Sequence, residues 1–115
     1  MEPLIDKRPW GQFKQFTHNE PATVKILTVE PHQELSLQYH EHRKEFWQVL
    51  SGSGIIQIED ERIPAKKGDE FTILEGQKHR IIAESEQLEV LEISYGEFDE
   101  NDIVRLEDKY GRINK

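Results

Sequence analysis

Three residues of types that bind divalent cations, His40, His42 and Glu45, fall within Leu35–Gly52, between two runs that alternate like β-strands. Side chains two apart on a strand share a face, so His40 and His42 are expected to project together, with Gln38 on the same side. Glu45 follows just past the strand end, Gly52 comes after it, and His79 heads a later strand that antiparallel folding can bring to the same pocket. Imidazoles with one carboxylate make an open divalent-metal site, which polarises a carbonyl or activates water. A bare His-x-His pair is most often two exposed strand residues, and it is Glu45 and His79 that favour the metal reading. Gln38 carries an amide, a weak ligand better suited to hydrogen bonding ligand or substrate. His18 and His32 lack such company and read as loop histidines.

The frame that must position these groups is bounded by composition. A chain of 115 residues reads as one domain, 1–115, able to bury about two thirds of its unfolded surface. It has no cysteine, so histidine and carboxylate must do any metal binding. A formal charge of −8 argues against nucleic acid as a partner, while converging arginines can still hold one small phosphorylated ligand. No stretch has the length of a signal-peptide core or a membrane span, so a soluble cytoplasmic protein without membrane association is expected.

Along the chain, Pro9 and Gly11 bracket Trp10 in a rigid turn leading into a short strand. The plain reading of Trp10 is an aromatic plug at one end of a barrel; the functional alternative sends Arg8 into the pocket as an anion contact. Strands are then expected over 23–29, 35–40, 46–50, 55–59, 61–65, 70–74, 80–83 and 88–93, with glycine-bearing turns such as 51–54 and 66–68 between them. Trp47 reads as core. Closely spaced strands with no helical stripe mean an all-β sandwich or barrel. From residue 99 the pattern changes: Asp99 suits an N-cap, acids fill the next turn, and Ile103 and Leu106 lie three apart. A short C-terminal helix or turn ending before Gly111 is expected.

His40-x-His42-x2-Glu45-x6-Gly52 and Gly68 to His79 resemble the two motifs of the cupin superfamily, a double-stranded β-helix or small β-barrel of jelly-roll type. Leu74 stands where cupins usually carry proline, and Ala83 where they often carry asparagine. A closer resemblance runs through Arg8-Pro-Trp-Gly-x-Phe13, Leu35-Ser-Leu-Gln-x-His-x-His-Arg-x-Glu-x-Trp47, Gly76-x2-His-Arg80 and Asp102-Ile-Val-Arg-x2-Asp-x-Tyr-Gly-Arg112. Together these are similar to the type II mannose-6-phosphate isomerase domain, usually the C-terminal part of bifunctional mannose-1-phosphate guanylyltransferase/mannose-6-phosphate isomerase.

The resemblance implies that His40, His42, Glu45 and His79 ligate a divalent metal, Zn²⁺ in the first place, with Co²⁺, Mn²⁺, Ni²⁺ or Fe²⁺ as alternatives. It implies functional roles for Arg43 and Glu45, and substrate contacts, through a sugar phosphate, for Arg105 and Arg112. Phe46 replaces a histidine frequent in the family. The activity implied is interconversion of mannose 6-phosphate and fructose 6-phosphate by a stand-alone domain. No glycine-rich phosphate loop is present, so guanylyltransferase activity is not expected. A general base is also required; Glu45 is a candidate if it does not ligate, His79 a weaker one. The rival readings are a sugar-phosphate-binding cupin without catalysis and another metal-dependent cupin enzyme. Small cupins often pair through their sheets, which makes a homodimer the expected assembly.

Overall fold

A computed structural model describes residues 3–112, which form eleven strands. Two lead the chain as a separate hairpin, β1 (Leu4–Arg8) and β2 (Gly11–Gln15), joined through Pro9 and Trp10. The rest are β3 (Ala22–Val29), β4 (Leu37–Tyr39), β5 (Glu45–Ser51), β6 (Ser53–Ile58), β7 (Glu61–Lys66), β8 (Glu70–Ile73), β9 (His79–Ala83), β10 (Leu88–Tyr95) and β11 (Val104–Glu107). They build two antiparallel sheets, of order β3-β10-β5-β8 and β11-β4-β9-β6-β7. The chain passes from one sheet to the other at Gly52, between β5 and β6, with φ at 81°. A Cβ there would lie 2.0 Å from the Gln87 carbonyl oxygen, so only glycine fits the corner.

Period-two alternation explains the packing. Val29, Trp47, Val49, Ile56, Ala65, Ile73, Ile81, Ala83, Leu88 and Val90 lie on inward faces of both sheets and form one buried cluster. Each large aliphatic among them stabilises the fold by roughly 1.5–3 kcal/mol on burial. On the outer face of the four-stranded sheet, Phe46, Ile93 and Tyr95 form a second cluster covered by Phe16, whose ring centroid is 5.5 Å from that of Phe46.

Two expectations are corrected. No helix occurs among the described residues: Asp99 does cap a turn, accepting from the Asn101 amide at 2.9 Å, but Val104–Glu107 then pairs with β4. A helix of a turn or two is marginal alone, whereas the open edge of β4 offers ladder hydrogen bonds to a β-branched segment. Trp10 is no plug either, for it sits 73% exposed at the hairpin tip. No helix is long and apolar enough to cross a membrane among these residues.

Candidate metal centre and the cavity beside it

The inward faces change character along each strand. On β10, Leu88 and Val90 give way to Glu92 and Ser94; on β5, Val49 and Trp47 give way to Glu45; on β9, Ala83 and Ile81 give way to His79. At this polar end His40, Glu45 and His79 come together, all buried, each offering one ligand atom within 4.8 Å of the others. Glu45 bridges the pair: its Oε2 is 3.7 Å from His40 Nε2 and its Oε1 is 3.7 Å from His79 Nε2.

Hydrogen bonds fix both rings. His40 Nδ1 donates to the Asp102 carbonyl at 2.6 Å, and His79 Nδ1 donates to the Gln77 carbonyl at 2.8 Å. Each Nε2 is therefore left with a lone pair, that of His79 facing Glu45 and that of His40 shared with a donor from Arg43. Burial pushes both imidazoles below their ordinary pKa, against the opposing pull of Glu45, and so favours the neutral, ligating form. Trp47 lies edge-on to His79 with centroids 5.3 Å apart and closes the site from the apolar side.

The donor set fits a cation. Glu45 Oε1 and His79 Nε2 are buried acceptors facing each other with no hydrogen-bond partner. Two desolvated lone pairs so placed are costly unless a positive centre lies between them. On the other side, Arg43 donates from Nε to Glu45 Oε2 at 3.0 Å and from Nη2 to His40 Nε2 at 3.1 Å, and Ser94 Oγ donates to Glu45 Oε2 at 3.2 Å.

Arg43 also leads out of the centre. It lines a cavity of about 470 Å³ together with Gln38, Lys25, Glu92, Arg105 and Arg112, a size suited to a small ligand. Arg105 Nε is buried there without a hydrogen-bond partner. Arg112, half exposed at the rim, is held by Asp108 at 2.8 Å. Phe98 lies between two cations, with Lys25 Nζ 4.3 Å and Arg43 Cζ 4.5 Å from its ring centre. Gln38 accepts from Ser36 Oγ at 2.7 Å.

Two of the expected site residues lie outside this group and the cavity beside it. His42 is not in the cation group: its side chain is 81% exposed, with Nδ1 3.7 Å from Asp102 Oδ1. The strand ends at Tyr39, so alternation does not carry His40 and His42 to one face. The Asp102 carboxylate accepts the Glu41 and His42 amides at 2.9 and 3.0 Å and turns the chain outward. Burial works against that carboxylate's charge, yet those two amides hold its pKa below the usual value. Arg8 does not line the cavity; it stays on the hairpin, exposed and bonded to Asp6 at 3.1 Å. Phe46 points to the outer face, away from the centre, so the histidine it replaces has no bearing on this group.

Sequence reasoning missed Glu92, Lys25, Ser94 and the role of Asp102. The available signal was Glu92 and Ser94 in step with Leu88 and Val90, polar groups on an otherwise apolar face.

Comparison with known proteins agrees with this architecture. Residues 5–108 match the family Mannose-6-phosphate isomerase C-terminal. The xanthan biosynthesis protein XanB of Xanthomonas campestris is 38% identical over 107 residues, 91% of this chain and 23% of that protein. Mannose-1-phosphate guanylyltransferase ManC of Salmonella typhimurium is 34% identical over 108 residues, 92% of this chain and 22% of its own length. The chain thus spans under a quarter of the curated relatives it matches. Among solved structures, a cupin protein from Bacteroides fragilis superposes with TM-score 0.61 at 28% identity, covering 65% of each chain. A cupin 2 conserved barrel domain protein from Salinispora arenicola gives TM-score 0.61 at 21% identity, over 69% of this chain and 66% of that one. The fold is a cupin, and the chain belongs to the mannose-6-phosphate isomerase C-terminal family.

Proposed function

We propose that this chain interconverts mannose 6-phosphate and fructose 6-phosphate with a divalent cation held by His40, Glu45 and His79. The observation that carries the reading is the pairing of two features: a buried imidazole–carboxylate group with unsatisfied acceptors, and an arginine-lined cavity reached through Arg43. Zn²⁺ suits two imidazoles and one carboxylate, with Co²⁺, Mn²⁺, Ni²⁺ and Fe²⁺ as alternatives. When bound, the cation supplies a Lewis acid for the sugar's carbonyl oxygen.

The chain's own residues do the rest. Arg105, with a free buried Nε, and Arg112 at the rim take the phosphate, and guanidinium forks match its oxygens. Gln38 offers its amide to a sugar hydroxyl. Arg43 holds Glu45 turned toward the imidazoles. Glu45, with both oxygens committed to this group, serves as ligand and not as base.

The test is fructose 6-phosphate formation from mannose 6-phosphate with Zn²⁺, Co²⁺, Mn²⁺, Ni²⁺, Fe²⁺ or no added metal. Metal-dependent turnover is expected. Thermal stabilisation by the sugar phosphate without turnover under any metal would reject catalysis and leave a binding cupin.

A further inference from the structure

Resting on the isomerase reading, we propose that Glu92 is the proton-transfer residue: its carboxylate removes the proton from C2 of the aldose and returns it to C1. Aldose–ketose exchange demands such a group. As the C2–H bond breaks, its electron pair forms the C1–C2 double bond and the carbonyl electrons move onto O1. A proton then passes from O2 to O1, the carboxylic acid of Glu92 gives its proton to C1, and the C2 carbonyl forms. Atoms and charge balance without an oxidant or reductant.

Position selects Glu92. Two carboxylates line the cavity, Glu92 and Glu100. Glu100 lies exposed in the turn that follows β10, whereas Glu92 is 7% exposed on the inward face of that strand. Glu45, the carboxylate on the neighbouring strand, accepts from Arg43 and Ser94 and faces two imidazoles. Glu92 has neither imidazole, and its neighbours in register are Trp47 on β5 and Lys25 on β3.

The charges facing it are few. Burial raises the Glu92 carboxyl first, and the negative charge of Glu45 adds to it, while Lys25 and Arg43 pull it down, leaving it at about 7. A base is most effective when its pKa sits near working pH. Two carboxylates on adjacent strands thus hold separate roles because their surroundings differ, one held by Arg43 and Ser94 against two imidazoles, the other able to gain and lose a proton.

The experiment follows mannose 6-phosphate by proton NMR in D₂O with wild-type protein, Glu92→Gln and Glu92→Asp, each metal-loaded, alongside metal analysis and thermal shift with fructose 6-phosphate. Glu92→Gln is expected to lower kcat about 100-fold or more, and C2–H exchange with it, as loss of a general base does. KM should stay within about three-fold, with metal content and stabilisation by fructose 6-phosphate unchanged. The wild-type rate should climb with pH as Glu92 loses its proton, and the residual rate of Glu92→Gln should lack that limb. Glu92→Asp should recover part of the rate. A merely structural role predicts instead that metal content and ligand stabilisation fall together with kcat. That pattern, or Glu92→Gln turning over within about three-fold of wild type, overturns the assignment alone. Wild-type protein that neither turns over nor exchanges under any metal overturns the isomerase reading and Glu92 with it.

Discussion

The two ends of the barrel interior are built from the same strands and obey opposite rules. At one end Val49, Ile81, Ala83, Leu88 and Val90 pack without a charge among them. Two residues along those strands, or four, stand Glu45, His79, Glu92 and Ser94, equally buried and entirely polar. The apolar end contributes stability by burial; the polar end costs stability, because desolvated ionisable groups are held for what they can bind. Fold and chemistry are thus separated within each strand, and substitutions at the two ends should fail in different ways.

The largest effect on stability should come from the apolar end. Ile81→Ala, at a fully buried site, is expected to cost about 2–5 kcal/mol in urea unfolding. Its metal content below the melting temperature should stay unchanged. A loss of metal without a loss of stability would break the division between the ends.

Glu92→Gln should move stability the other way, and only at high pH. The carboxyl is raised from 4.5 to about 7 in the fold, so the folded chain holds the proton more tightly than the unfolded one. Stability relative to a neutral side chain is therefore intact below about 4.5, lost as pH rises to 7, and stays low above. The variant should gain up to about 3 kcal/mol at pH 8 and close to nothing at pH 4.5. Thermal melts at both pH values would show it. An equal gain at both would mean that charge is not the cause.

Asp102→Ala should sharpen the comparison further. The residue touches no proposed cation, but its carboxylate holds the turn at 41–42 and so keeps its own carbonyl on His40. Metal affinity should fall about 10-fold in a competition titration, with little change in stability. The smallest effect belongs to Arg8→Ala, which should leave KM within about two-fold, because Arg8 stays on the hairpin. Arg105→Ala should raise KM at least 10-fold through loss of a charge-assisted contact.

Much of this was legible in the sequence, because alternation reports strands directly. The segments 22–29, 45–51, 61–66, 70–73 and 79–83 lie within a residue or two of expectation. What could not be read was phase and termination. Nothing local to 37–42 says that the strand stops at Tyr39, since the clamp that turns His42 outward comes from Asp102 in the distant C-terminal segment. Glu92 was hidden for a related reason: Glu89 and Glu92 straddle the two faces of β10, and which one turns inward depends on its pairing with β3 and β5. The C-terminal segment showed helix-start chemistry at Asp99, but the open edge of β4 decided its fate.

We propose that one divalent cation is held by His40, Glu45 and His79 and not by His42. Titration of the metal-stripped protein with Zn²⁺, read by calorimetry and by elemental analysis after desalting, tests it directly. One cation per chain is predicted for wild type and for His42→Ala, with His40→Ala and His79→Ala retaining background amounts. Binding that survives both of those substitutions, or that vanishes with His42→Ala alone, would contradict the account.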